Sequence, residues 1–218
     1  MKALLFILVG AGAAVLLGKL LTRKKAQEQK RHQRQREIAA GANVTNDITG
    51  VRRGGVLKLP PFGNSPAAIE TYVVTRHRYS DGGAPWFELV CQHGRRDLLV
   101  EWFREGSRLV VTAGFEDENP TMKDLGLTED DLIRFDEDEE GSFQWGGTTW
   151  HYEESGEVDY FENDGGRAES YYSWTFATEA EDRHLSIEKW EGERTFNVYH
   201  LWLVDSGRVE VFDAGEGR

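Results

Sequence analysis

The sequence predicts a mainly β protein, in which an N-terminal transmembrane helix precedes a mostly antiparallel β domain. The composition of 24 Gly, 7 Trp, 7 Tyr and 11 Phe in 218 residues favours strands joined by tight turns. From residue 54 onwards, short runs that alternate apolar and polar residues are separated by Gly, Asp and Asn. Sixteen uncharged, mostly apolar residues at positions 3–18 indicate the helix.

These patterns divide the chain into five segments. We expect a transmembrane helix at 1–21, a basic juxtamembrane stretch and linker at 22–53, a first β unit at 54–118, an acidic bridge with one short linking helix at 119–140, and a second, similar β unit at 141–213. The pattern leaves open whether the two units form small barrels or one shared sandwich.

The apolar N-terminal stretch has the length of a membrane span. As a helix, residues 3–21 would reach roughly 28 Å, about the thickness of the hydrocarbon core of a bilayer. The alternative is a cleaved signal peptide, with Ala11-Gly12-Ala13 as its small-residue cleavage site. The apolar run continues past that site through Val15-Leu16-Leu17, which favours an anchor.

The distribution of charge predicts the orientation of this anchor. Residues 1–36 contain nine Lys or Arg and one acidic residue, whereas residues 37–218 carry a formal charge of −20. Basic residues after the span predict a single-pass membrane protein with its bulk in the cytoplasm. The acidic bulk would repel nucleic acid. Anionic headgroups could bind Arg23, Lys24 and Lys25, and two helices could pack through Gly10, Ala14 and Gly18.

Local patterns predict the elements of the β domain. In the first unit the expected strands are 56–59, 69–77, 86–92, 97–102 and 109–112, with a hairpin turn about Gly94. The expected helix begins after Thr128, which caps it together with Asp131. The second unit matches the first at a constant offset of 87 residues; for example, Glu101 matches Glu188 and Phe87 matches Trp174.

Motifs in both units resemble a known bacterial family. Trp86-Phe87-Glu88-Leu89 and Leu98-Leu99-Val100-Glu101-Trp102, with Tyr172-Ser173-Trp174 and Leu185-Ser186-Ile187-Glu188, resemble the family catalogued as domain of unknown function 4178. The resemblance covers about residues 54–212. Such domains occur in bacteria near membrane-stress coat proteins of the phage-shock type, small membrane proteins and polyamine-linked ligases. The resemblance therefore implies an accessory role at the inner membrane, and it supplies no catalytic residues.

We expect no catalytic, cofactor-binding or metal-binding residues. Cys91 and His93 could face the same side of one strand, but a closed zinc site needs two further ligands. The chain has no nucleophile elbow, and its Gly pairs lack the Lys-Ser/Thr of a phosphate-binding loop. Because 38 acidic residues make neighbouring carboxylates common, an acid/base hydrolase is only a remote alternative.

The sequence favours a non-enzymatic adaptor or accessory protein of the bacterial inner membrane that binds a membrane-associated protein, and the family resemblance implies a link to envelope stress. The alternative is a cytoplasmic binding module for a polyamine or a cationic peptide, held by carboxylates and aromatic rings. Its candidate binding face consists of Trp86, Glu88, Glu101, Trp102, Trp174, Glu188 and Trp190. The competing interpretation is that these tryptophans fill a small β core.

Overall fold

The computed structural model describes Thr45, residues 47–213 and Gly215. The predicted transmembrane helix at 1–21 lies outside the described residues, as do Gly10, Ala14 and Gly18 and the basic residues Arg23, Lys24 and Lys25. Within the described part of the chain, no helix is both long enough and apolar enough to cross a membrane.

Eleven strands and two α-helices make up this part of the chain. The first half contains β1 (Val56–Leu59), β2 (Ile69–Ser80), β3 (Trp86–His93), β4 (Arg96–Glu105) and β5 (Arg108–Phe115). The helices α1 (Met122–Leu125) and α2 (Glu129–Asp138) follow. The second half contains β6 (Ser142–Trp145), β7 (Thr148–Phe161), β8 (Glu169–Thr178), β9 (Arg183–Trp190), β10 (Asn197–Val204) and β11 (Glu210–Asp213).

All eleven strands belong to one antiparallel sheet, in the order β11-β1-β2-β3-β4-β5-β10-β9-β8-β7-β6. A further pairing of β2 with β7 closes eight of them, β2–β5 and β7–β10, into a ring. The prediction of a mainly β, mostly antiparallel domain is confirmed. Two separate barrels are not found among the described residues, because β5 pairs with β10 and β2 pairs with β7, so that both halves share one sheet.

Within the ring, the two halves meet along two short seams, and outside the ring β11 of the second half also pairs with β1 of the first. At one seam, β5 and β10 are paired only from Ala113↔Trp202 to Val111↔Val204. At the other, β2 and β7 are paired from Arg78↔Phe161 to Ser80↔Asp159. Each seam consists of three residue pairs, whereas β7 and β8 within the second half are paired over most of their length.

Two large apolar clusters pack against the sheet. In the first, Leu89 and Val100 of the first half pack with Ile48, which lies in a 3₁₀ turn before β1, and with Val211 of β11 from the second half. The second cluster includes Trp150, Phe176, Leu185, Ile187 and, from α2, Leu132 and Phe135. A smaller third cluster of Tyr79, Val158 and Tyr171 joins residues of both halves.

The acidic bridge folds into two helices rather than the one that was expected. Thr121 forms a capping box with Asp124, and Gly126, with φ of 71°, ends α1 after a single turn. The capping box predicted for the longer helix is confirmed, since Thr128 Oγ1 accepts from Asp131 N and Thr128 N donates to Asp131 Oδ2. The first capping box was not predicted, because the helix that it begins is only four residues long.

The offset between the halves is not constant. Glu101 of β4 and Glu188 of β9 are 87 residues apart, as predicted. The residue opposite Glu101 on β3 is Glu88, whereas the residue opposite Glu188 on β8 is Ser173, an offset of 85. The difference arises because four residues join β8 to β9 and only two join β3 to β4.

Candidate functional site

The β3–β4 hairpin brings two carboxyl groups together. A two-residue turn with Gly94 at φ of 63° sets the register, in which Glu88 lies opposite Glu101. Directly opposite residues in antiparallel strands share one face, with Cβ atoms about 4.5–5.5 Å apart. The hairpin therefore places these two carboxyl groups side by side.

A third carboxyl group reaches the same place from the second half. Glu188 of β9 interacts with both Glu88 and Glu101. The charge of Glu188 raises the pKa of Glu101, and the charge of Glu88 raises the pKa of Glu188. The rings of Tyr79 on β2 and Tyr171 on β8 also meet here, with centroids 6.3 Å apart. We call the space between the three carboxyl groups of Glu88, Glu101 and Glu188 the acidic interior.

Burial raises the pKa of all three carboxyl groups. Glu88 and Glu188 are only 8% and 7% exposed, and Glu101 is partly exposed. Burial raises the pKa of Glu88 to about 7, and burial together with the neighbouring charges raises the pKa of Glu101 and of Glu188 to about 8. The ion pairs found in the described part of the chain all involve other acidic residues.

Two aromatic side chains donate hydrogen bonds to the carboxyl groups. Tyr79 Oη donates to Glu88 Oε1 at 3.2 Å, and Trp190 Nε1 donates to Glu188 Oε2 at 3.2 Å. Both bonds lower the pKa of their carboxyl group, against the larger effect of burial. They fix the orientation of the two carboxyl groups in the acidic interior.

Five aromatic rings form a continuous cluster beside the acidic interior. Tyr79 stacks on Trp86 with centroids 5.5 Å apart, and Tyr171 stacks on Trp190 at 4.8 Å. Tyr160 contacts both Tyr79 and Trp190, at 5.3 Å each. Because the face of an aromatic ring carries negative potential, rings and carboxyl groups together favour a cation.

A histidine at the β2–β7 seam does not supply a positive charge. His77 lies opposite Glu88 on β2, and its Nδ1 lies 2.9 Å from Tyr160 Oη and accepts the backbone N–H of Asn163 at 3.3 Å. Burial lowers the pKa of His77, so that the ring is neutral at pH 7.

Thr112 adds a hydroxyl group that is incompletely satisfied. It lies opposite Glu101 on β5 and is 3% exposed. Its Oγ1 makes no hydrogen bond of ordinary geometry, although it is close enough to Glu101 to lower the pKa of that carboxyl group. A buried hydroxyl without a good partner costs free energy, so this side of the acidic interior could accept a further polar group.

The structure brings together five of the seven candidate residues. Glu88, Glu101 and Glu188 surround the acidic interior, and Trp86 and Trp190 belong to the aromatic cluster beside it. Trp102 and Trp174 lie elsewhere. Trp102 stacks on Phe87 in the first apolar cluster, and Trp174 contacts Tyr172 and Phe196 in the second.

Strand alternation explains why these two tryptophans lie apart from the carboxyl groups. Successive side chains point to opposite faces, so Trp102 cannot share a face with its neighbour Glu101, nor Trp174 with Ser173, which lies opposite Glu188. Tyr79 and Tyr171, which meet at the acidic interior, were not among the predicted site residues. The alternation of side chains along each strand could have indicated these tyrosines, but only if the register between the strands had been known.

The geometry gives no support to a metal site within the described residues. No group of three or more His, Cys, Asp and Glu side chains there has metal-binding geometry. Cys91 is buried in the first apolar cluster, while His93 is exposed, with Nδ1 2.8 Å from the carbonyl oxygen of Glu70. The chemistry that the acidic interior offers is binding of a cation and exchange of protons.

A family model described as "Domain of unknown function (DUF4178)" matches residues 68–200, more than half of the chain. The matched region runs from the start of β2 into β10 and contains every residue of the acidic interior and the aromatic cluster. No curated protein and no solved structure matches the chain.

Proposed function

Since the chain belongs to the DUF4178 family, whose description assigns no activity, we propose its function from the acidic interior: the domain binds a small organic cation such as a polyamine. The observation that carries this proposal is the meeting of three carboxyl groups beside five aromatic rings, without an ion-pair partner from Lys or Arg in the described residues. The geometry favours this hypothesis over the adaptor.

The energetics of burial support a cationic ligand. Buried acidic side chains such as Glu88 and Glu188 destabilise a fold unless they are protonated or paired, because a charge loses its hydration on burial. An ammonium group would pair with the carboxylates and lie against the rings of Tyr171 and Trp190, and each such ring contact contributes about 0.5–2 kcal/mol. The ligand therefore supplies the positive charge that the protein itself does not place there.

A small ligand suits the site better than a peptide. The acidic interior is mostly buried, and a peptide backbone there would need partners for its own N–H and C=O groups. A polyamine has only ammonium groups and methylenes to accommodate. It could enter where Glu101, Trp86 and Trp190 are partly exposed, close to the short β2–β7 seam.

Calorimetric titration with spermidine tests the proposal. The full-length chain, kept in an uncharged detergent at pH 8, should bind spermidine, and Glu188→Gln should weaken binding by about tenfold, since loss of one charge pair corresponds to about 1.4 kcal/mol. The matched control is Glu153→Gln, which removes the same charge from an exposed site on β7. An affinity unaffected by Glu188→Gln, or absence of binding, would refute the proposal.

The adaptor hypothesis is a second candidate, and one feature of α2 favours it. Ile133 is 44% exposed on this helix, where Glu129, Asp130 and Glu137 are also exposed. A large exposed apolar side chain among charges is a common anchor in protein–protein contacts. A photocrosslinking residue at position 133, in native membranes, should capture one dominant membrane-associated protein that the same residue at position 167 does not capture.

We also propose that residues 3–21 anchor the chain in the bacterial inner membrane, with the β domain in the cytoplasm. The apolar length and the basic flank support this placement. The full chain should stay with the membrane after carbonate extraction, and a chain starting at residue 38 should not. Release of the full chain by carbonate would contradict the anchor.

A further inference from the structure

The acidic interior cannot hold all of its carboxyl groups ionised without a ligand. Glu88 lies directly opposite Glu101, and like charges in that position are destabilising. Glu188 approaches both from the other half of the ring. In the unliganded protein, protons rather than counter-ions must therefore neutralise these carboxyl groups.

The groups that face the carboxyl groups add no positive charge. They are Tyr79 and His77 of β2, Thr112 of β5, Tyr160 of β7, Tyr171 and Ser173 of β8, Trp190 of β9 and Tyr199 of β10. The remaining charges that act on the carboxyl and tyrosine groups there are those of Glu116, Glu162 and Glu169, which are also negative. Burial raises the pKa of the tyrosines and lowers that of His77, which keeps all of these side chains neutral at pH 7.

We infer that a cation enters the acidic interior in exchange for protons, so that ligand binding and proton release are a single linked event. The inference rests on the proposed function. As the ammonium group arrives, a carboxyl O–H bond breaks, the proton passes to water or buffer, and the carboxylate pairs with the ammonium group. Each proton released is matched by one new carboxylate, so that the charge of the interior stays close to neutral.

The direction of the pH dependence follows from this exchange. Burial raises the pKa of the three carboxyl groups to about 7 to 8, so that at pH 6 all of them carry protons that the ligand must displace. As the pH rises to 8, fewer protons remain and the apparent affinity increases. If one proton is released, the dissociation constant falls about tenfold per pH unit below pH 7. The ligand then occupies the domain at alkaline pH and leaves it as the cytoplasm acidifies.

Calorimetry in two buffers measures the exchange directly. Spermidine is titrated into the full-length chain at pH 6.5, in phosphate and in imidazole, which both buffer at this pH and whose enthalpies of ionisation differ widely. The difference in observed heat gives the number of protons released, which should be one or more per spermidine. Glu101→Gln should lower that number and flatten the pH dependence, while the exposed Glu153→Gln should leave both unchanged.

The outcomes separate the two proposals. Spermidine binding with equal heats in the two buffers and a pH-independent affinity would overturn the exchange but leave the cation-binding function standing. No spermidine binding at either pH 6.5 or pH 8 would overturn both. Hexamethonium, whose charge does not depend on pH, serves as a second probe, so that a pH effect seen with it belongs to the protein and not to the ligand.

Discussion

Gly114 of β5 lies so close to the carbonyl oxygen of His200 on β10 that a Cβ atom at position 114 would overlap that oxygen. The contact sits at the seam where the two halves pair, one residue beyond the last register pair, Ala113↔Trp202. The backbone N–H of His200 donates a hydrogen bond to Asn119 Oδ1 at 3.0 Å, which also holds this part of β10 in place. The seam therefore depends on the absence of a side chain at one residue.

Gly114→Ala should destabilise the domain strongly. The added methyl group meets backbone, which cannot move without separating β5 from β10, so we expect a loss of about 3 kcal/mol or more in the free energy of unfolding. Chemical denaturation of the full chain measures the change. Gly156→Ala on β7 is the matched control, because a Cβ there meets nothing within 4 Å, and it should alter stability by no more than about 1 kcal/mol. Equal stabilities for the two variants would contradict the close seam.

The stability of the domain should fall as the pH rises. Burial raises the pKa of Glu188 from 4.5 to about 8, so the folded state holds a proton that the unfolded state releases above pH 4.5. The contribution of this proton to the free energy of unfolding is complete below pH 4.5 and is lost as the pH rises to about 8.

Glu188→Gln should remove much of that pH dependence, because an amide is neutral at every pH. At pH 9 the variant should be more stable than the native chain by at least about 1.4 kcal/mol, the free energy of one pKa unit. Denaturant titrations between pH 5 and pH 9 measure both chains. A native chain whose stability rises over this range would be inconsistent with protonated carboxyl groups in the interior.

Arg76→Met should cost about 2–4 kcal/mol. Arg76 is 6% exposed, and its Nη1 donates to the carbonyl oxygens of Thr49 and Val51 at 3.2 and 3.1 Å. Its guanidinium carbon lies 4.1 Å from the ring centroid of Phe87, and Nε lies 3.4 Å from Asp164 Oδ2. Methionine preserves the apolar stem but leaves these acceptors unpaired.

Thermal unfolding of Arg76→Met, Arg76→Lys and the exposed control Arg167→Met distinguishes charge from geometry. Lysine keeps the charge but not the planar fork of donors, so the stability of Arg76→Lys should lie between those of the native chain and Arg76→Met. Arg167→Met should change the free energy of unfolding by less than about 0.5 kcal/mol. If Arg76→Met behaved like the control, the buried guanidinium would contribute nothing to the fold.

Thr128→Ala should cost about 1 kcal/mol through loss of the cap of α2. Thr128→Ser keeps the hydroxyl group that accepts from Asp131 N and should be close to native. Urea denaturation followed by circular dichroism measures the stability of both variants. A serine variant as unstable as the alanine variant would show that the methyl group of Thr128, and not the cap, stabilises the fold.

Local signals in the sequence determined the elements whose physical cause is local. The strand Val56–Leu59 before two prolines, the hairpin about Gly94 and the cap at Thr128 were all predicted and are confirmed. Each depends on residues within a few positions of one another: a proline without a donor, a glycine that adopts positive φ, a hydroxyl that meets a nearby N–H. The family, too, was identified from short motifs of this kind.

The tertiary structure alone decided that Glu88 and Glu101 meet Glu188 inside one closed sheet. That meeting depends on pairings such as Tyr79↔Tyr160 and Ala113↔Trp202, between residues that are more than 80 positions apart. Alternation along a strand indicates which residues share a face, but not which strand lies beside it or whether that face becomes buried. The sequence by itself determined strands, turns and caps, because these are set by neighbouring residues. The acidic interior exists because distant strands close the ring around three carboxyl groups.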